Sequence, residues 1–483
     1  MLDMTYEEYM GEVFHLWHDG TDYSEYFDVL EVTGRSLSPN EISSVRVPGM
    51  PGAHFQRKRK NGVPLKVKVL IRCNTDEELR QRLDTLNGML DTEDEVPIQF
   101  SDEQDKTYFG ILSDISEGIE VNGNHIVTIT FWRSNPYKYG PEQPIGLTGR
   151  GTIIEVPGTA ETKPIIEIDV LAPITFAMIS NGTDYMMIGN PTAVEETPVE
   201  AETKVFHHDM DSKTGWVNTS VISEGYINGT MANDTTGFYP QFAEPNPGEF
   251  AWHGPAKKHS LSEAVQDFRA DFGFRFYAES RGGTVGRIEM YGLDASNNIV
   301  FRAWIEDKWD GYDHFGVCLE LGNGDRTEYF TLPRNLEDMY GRLKVIRKGN
   351  EWTLIIQHLK SGAGRIVLNE WTEMLESDLV MQQVSQIQLS FQKWYDTDEE
   401  DMEVLLMRLY KLNNVEGTPY IAHTGDTILF DLKNHDIRIN GEKRKDLKDR
   451  GATEFDLLPG KNKLALLPDG DVQGVIKFRP AYK

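Results

Sequence analysis

Apolar and polar positions alternate with a period of two along much of the chain. Leu65, Val67, Val69 and Ile71 share one face of a run that carries Lys66 and Lys68 on the other. Val127, Ile129 and Phe131 alternate with Thr128, Thr130 and Trp132, and Phe272, Phe274 and Phe276, then Ile387, Leu389 and Phe391, repeat the pattern. This period predicts half-buried antiparallel strands, so the protein is mainly β. One segment departs from it. From Asp76 to Leu90, Leu79, Leu83, Leu86 and Leu90 make a single helical stripe. Thr75 stands at the cap position and Glu78 where a capping-box acid reaches back. The predicted role of this helix is to cover one face of a small β-domain.

Turn chemistry divides the chain. The run 136–144 (PYKYGPEQP) closes the first β-domain, while 189–202 (GNPTAVEETPVEAE) and 413–419 (NNVEGTP) read as linkers. Asn181-Gly182 predicts a hairpin within 164–188, and the run 427–441 (TILFDLKNHDIRING) has the same character, with turns at Asn434 and Asn440-Gly441. The simplest arrangement is a β-sandwich, 150–200 plus 415–483, interrupted by an inserted domain at 206–413. That insert holds seven of the nine tryptophans, the others being Trp17 and Trp132. Its strand pattern and length fit a jelly-roll or concanavalin-like sandwich. An inserted domain needs neighbouring ends, which nominates Phe206 and Leu409 as partners.

Composition excludes several classes. With 77 acidic and 49 basic residues the 483-residue chain has a net charge of −28. That argues against a dedicated nucleic-acid binder or docking on anionic membranes. The insert contributes 32 acidic and 20 basic residues, so it and the remainder are both acidic. Cys73 and Cys318 are the only cysteines, which removes a disulfide framework and a thiolate zinc site. No apolar run is long enough to span a membrane, and the N-terminus lacks a basic signal-peptide region, so secretion is not expected.

An ordered set of segments resembles the distal tail proteins of phages with long, non-contractile tails. It comprises 17–39 (WHDGTDYSEYFDVLEVTGRSLSP), 47–62 (VPGMPGAHFQRKRKNG), the capped helix, 100–114, 126–140, and 439–467 with its LLPGKN. The resemblance implies an N-terminal ring-forming domain at 1–140 that assembles as a homohexamer. It further implies a galectin-like sandwich split by a carbohydrate-binding-module-like insert. The implied role is a structural hub in the virion, at the tail tip, assembled in the bacterial cytoplasm. Its implied partners are the tail tube protein, a tail-tip or tail-associated lysin protein, a receptor-binding protein and host cell-wall saccharide. DNA would only pass through the channel.

Sugar stacking needs exposed aromatic faces beside fixed polar groups. The insert offers Trp309, Asp310, Tyr312 and His314 in one turn-like segment, then Trp394 and Tyr395, Tyr239, and Trp252. The plainer reading is that tryptophans fill a sandwich core, which is expected for Trp304, Trp352 and Trp371. Arg57, Lys58, Arg59 and Lys60, read as lying on a loop, are either a solvated turn or a contact with a neighbouring ring subunit. No cofactor is expected. Asp209 and Asp211 are the candidate ligands of a structural calcium, and the six carboxylates of 396–403 read as a solvated loop. Glu167 and Asp169 share a strand face as glycosidase acids do, but a third acid is missing and no nucleophile or metalloprotease motif occurs. The sequence therefore reads as a non-enzyme. Two alternatives stand, an architectural protein-binding insert and, ranked last, a polysaccharide hydrolase.

Overall fold

The computed structural model describes residues 14–36, 40–116, 118–121, 123–192, 196–277, 284–309, 314–334, 336, 338–360, 367–399, 401–414 and 416–483. Three hydrophobic cores organise them.

The first core belongs to the N-terminal domain. Strand Val63–Arg72 pairs along its length with Asn124–Arg133, and the sheet continues through Tyr108–Ile115 and Val96–Phe100 to Leu16–His18. Leu65, Val67, Val69 and Ile71 are at most 1% exposed, as their alternation requires. The helix Asp76–Leu90 packs Leu79, Leu86 and Leu90 onto this core. Thr75 Oγ1 accepts from the Glu78 amide at 3.2 Å, and Glu78 Oε2 accepts from the Asn74 amide at 2.9 Å. Two otherwise orphaned donors at the helix start are thus satisfied by side chains.

Arg57–Lys60 requires a correction. Arg57, Lys58 and Arg59 lie in strand His54–Arg59, which pairs with Glu41–Val45 to form a separate two-stranded arm, and Lys60 follows it. The Pro-Gly pairs at 48–49 and 51–52 supply the turn, with Gly49 and Gly52 both at φ +86°. Two-sided exposure leaves no hydrophobic face in the sequence to mark such a strand.

The second core fills a split sandwich. Its six-stranded sheet runs Gln143–Thr148, Val472–Phe478, Ile165–Val170, Thr427–Asp431, Asp436–Ile439, Glu442–Lys443. Its four-stranded sheet runs Arg150–Val156, Gly460–Leu467, Phe176–Ser180, Tyr185–Gly189. The first strand starts at Gln143, ahead of the boundary at 150 read from the sequence. Phe176–Ser180 and Tyr185–Gly189 form the Asn181-Gly182 hairpin, with Gly182 at φ +93°.

The third core lies between an eight-stranded and a nine-stranded sheet spanning 202–412. The outermost strands of this segment meet: Glu202–His208 runs antiparallel to Asp401–Leu412, with Phe206 opposite Leu409. The Asn413 amide donates to the Ala201 carbonyl at 2.8 Å, closing the base of the insert. Phe272, Phe274, Phe276, Ile387, Leu389, Phe391 and Trp352 are fully buried there.

Candidate functional site

In the nine-stranded sheet, alternate residues point to opposite faces. Ile288 and Met290, Ala303 and Ile305, and Ile387 and Leu389 face the core. Register then fixes what the outer face carries. Across strands Val384–Trp394, Gly286–Leu293, Ile299–Asp307 and Phe315–Leu321, one row is Gln392, Arg287, Glu306 and Gly316. The next row is Ser390, Glu289, Trp304 and Cys318, and the third is Gln388, Tyr291, Arg302 and Glu320.

This outer face is polar yet buried. Glu289 and Arg302 are 0% exposed. Glu289 Oε1 accepts from Arg302 Nη2 at 2.6 Å and from Arg287 Nη1 at 3.3 Å, and Arg287 Nε donates to Glu306 Oε2 at 2.8 Å. The guanidinium of Arg287 lies 4.0 Å from the Trp252 ring centroid and 5.3 Å from that of Trp304, and Arg302 lies 4.0 Å from Trp304. Burial disfavours both guanidinium charges, but the facing carboxylates, led by Glu289, more than restore them. Trp304 therefore belongs to a charged layer and not to the sandwich core, which corrects the sequence expectation.

A loop, 219–224, crosses this face. Thr219 Oγ1 donates to Gln388 Oε1 at 2.7 Å, Gln388 Nε2 donates to the Val221 carbonyl at 2.8 Å, and Ser223 Oγ reaches Glu320 at 3.3 Å. Glu224 Oε2 accepts from Arg287 Nη1 at 2.8 Å and Arg302 Nη2 at 3.2 Å.

Aromatic residues gather where the sheet ends. Trp252 pairs with Trp394 across neighbouring strands, their rings edge to face at 5.8 Å. Trp309 follows Asp307 at the same end, because Lys393, Gly286 and Asp307 are aligned in register. Two strand spacings, roughly 10 Å, separate the Trp394 and Trp309 positions. Trp394 is 39% and Trp309 49% exposed. Lys308 bridges this rim to the charged layer, 3.6 Å from Glu306 and over the Tyr329 ring.

The remaining sequence candidates fall elsewhere or serve the scaffold. Tyr395 stays at the rim, its ring against Phe250 at 4.5 Å and its carbonyl bonded to His253 Nε2 at 2.7 Å. His314 ties its loop to the Leu332 carbonyl through Nε2 at 3.1 Å. Tyr239 lies on strand Phe238–Gln241 of the other sheet. Asp310 and Tyr312 lie outside the described residues. Asp209 Oδ1 is engaged by His207 Nε2 at 2.9 Å, and among the described residues no three His, Cys, Asp or Glu side chains converge as metal ligands around it or Asp211. Glu167 of the glycosidase-like pair is bound to Lys477 at 2.7 Å. On the N-terminal domain, Lys58, Arg59 and Lys60 line a shallow open cleft with Asn40, Tyr137 and Lys483.

Arg287, Glu289, Arg302 and Glu306 were not identified from sequence. The signal is present in 286–293 (GRIEMYGL) and 301–307 (FRAWIED), where Arg287, Glu289 and Tyr291, then Arg302, Trp304 and Glu306, alternate with apolar or small residues. It marks one polar face but not that a loop covers it.

The profile of the family described as "Phage tail protein RIFT-related domain" matches residues 18–131. The distal tail protein of Bacillus phage SPP1 is 35% identical over 164 residues, covering 34% of this chain. The chain spans 65% of the length of that curated relative. The crystal structure of SPP1 Dit, described as a paradigm of hub adsorption apparatus in phages infecting Gram-positive bacteria, is 30% identical with a TM-score of 0.35. That match covers 37% of this chain and 75% of the other. The CBM2 module of the evolved Dit of Lactobacillus casei BL23 phage J-1 is 15% identical with a TM-score of 0.38, covering 45% of this chain and 99% of the module.

Proposed function

The chain belongs to the phage distal tail proteins, and from that membership we propose that it is a structural hub of a long, non-contractile tail tip and not an enzyme. In this reading the N-terminal domain assembles as a homohexameric ring. The ring joins the tail tube protein to a tail-tip or tail-associated lysin protein and a receptor-binding protein. The arm of Glu41–Val45 and His54–Arg59 is its subunit contact. Two strands alone are marginally stable in water, and this arm exposes Ile42 at 63% and Phe55 at 65% beside Arg57 and Lys58. A second copy of the acidic domain would cover those side chains.

The insert, in the same reading, holds host cell-wall saccharide. The observation that carries this is the convergence of Trp252, Trp394 and Trp309 at one end of a sheet whose outer face is a fixed layer of charged groups. Exposed indoles provide stacking surfaces worth about 1 kcal/mol each, and the half-exposed Lys308 at the rim provides a polar partner for hydroxyls. Six weak sites on one ring would raise apparent affinity by roughly 10²–10⁴-fold.

Native mass and negative-stain imaging of the full-length protein test the ring. A six-fold particle is expected, and Phe55→Asp should abolish it without lowering the melting temperature. A monomer at all concentrations, with or without tail tube protein, would count against the hub. Retention on purified host cell walls tests adhesion, and Trp394→Ala should reduce it about tenfold with the ring intact. Rings that ignore walls but capture tip proteins would favour the architectural reading of the insert.

A further inference from the structure

The charged layer has one member that faces solvent. Glu224 exposes 52% of its side chain, while its partners Arg287 and Arg302 expose 5% and 0%. It reaches them from a loop, whereas Glu289 and Glu306 are fixed on strands. Buried arginines need compensating carboxylates, but nothing in that requirement calls for one of them to be loop-borne. In the same layer several buried polar atoms lack hydrogen-bond partners among the described residues. They are Trp304 Nε1, Arg302 Nη1, which is 3.6 Å from Glu320, and Gln392 Oε1. Two unused donors and one unused acceptor in this layer describe a surface prepared for a hydroxyl-rich and acidic molecule.

We propose that Arg287 and Arg302 form a recognition site for the carboxylate of an acidic saccharide, a position that the Glu224 carboxylate occupies in the free protein. This rests on the saccharide reading above and adds the class of sugar. Charge supports it. Arg287, Arg302 and Lys308 face Glu289, Glu306, Glu320 and Glu224, so lifting Glu224 away removes the excess negative charge and leaves the two guanidinium groups without the carboxylate they share. A uronate would replace one carboxylate with another at the same two guanidinium groups, while neighbouring units of the same saccharide chain stack at the aromatic rim.

The test uses the full-length protein and its Glu224→Gln variant. Calorimetric titration covers matched pairs of oligosaccharides, the glucose, galactose and mannose polymers against the corresponding uronates. The wild-type protein should prefer a uronate to its neutral partner. Glu224→Gln should raise that affinity about tenfold and leave neutral sugars unchanged, since the internal competitor is weakened. Trp394→Ala should weaken acidic and neutral sugars alike. Neutral sugars bound as well as uronates, or uronate affinity unmoved by Glu224→Gln, would overturn the anion site and leave the saccharide reading standing. Binding of no member by either protein would overturn both.

Discussion

His18 sits in the core of the N-terminal domain, 1% exposed, between the rings of Tyr23 at 5.9 Å and Phe131 at 5.2 Å. Among the described residues neither ring nitrogen has a hydrogen-bond partner. Burial lowers its pKa below the usual 6.5, with Asp19 opposing weakly, and the same burial raises Tyr23 to about 12. A histidine whose folded pKa is depressed binds protons more readily when unfolded. Its stabilising contribution is therefore complete above pH 6.5 and is lost as pH falls toward the folded value. The urea midpoint of the N-terminal domain is expected to drop between pH 7 and pH 5, and His18→Leu should flatten that slope. An unchanged slope would show that His18 does not control it.

Among the elements, the helix Asp76–Leu90 is the one most completely specified by local sequence. Thr75 caps it, Asp76, Glu77 and Glu78 occupy its first turn, and the leucine stripe faces the sheet. Thr75→Ala is expected to destabilise the domain by about 1 kcal/mol, measured by denaturant unfolding. Strands with one buried face were equally legible, because Leu65 to Ile71 and Phe272 to Phe276 carry the period themselves. The Asn440-Gly441 turn was legible from residue type, and both residues adopt positive φ, at +52° and +82°. What escaped was set by distant chain. Among the described residues strand His54–Arg59 pairs only with Glu41–Val45, and it buries no face. The alternation of Arg302, Trp304 and Glu306 was readable, but their burial depends on a loop some 80 residues earlier that places Glu224 over them.

At the scale of the whole molecule, the insert is fastened to the sandwich that carries it by charge. Glu442, on the hairpin Asp436–Ile439 to Glu442–Lys443, accepts from Lys344 Nζ at 2.7 Å and Arg342 Nη1 at 2.8 Å on the insert's eight-stranded sheet. A second link runs from Arg438 Nη1 to the Val367 carbonyl at 3.0 Å. Burial works against an ionised Glu442, but Lys344, then Arg342 and Arg269, overrule it and bring its carboxyl down from 4.5 to about 2. Burial in turn draws the Lys344 ammonium down despite Glu442. A carboxylate with a depressed folded pKa stabilises above its unfolded value, so this contact should hold above pH 4.5 and fail as pH approaches 2. Small-angle scattering should detect a loosened insert in Glu442→Gln at neutral pH. An unchanged scattering profile would mean that the Glu442 charge cluster does not set the orientation.

The paired base of the insert leads further. Ala201 and Asn413 are bonded to each other, and just outside them Val199 exchanges backbone hydrogen bonds with Thr418 and Tyr420. The module therefore hangs from two covalent tethers that leave its carrier side by side. A protease that nicks any one of its loops, or severs one tether, leaves the module joined to its carrier through the other. Shedding it takes two cuts at one closed seam, so a single cleavage does not release it.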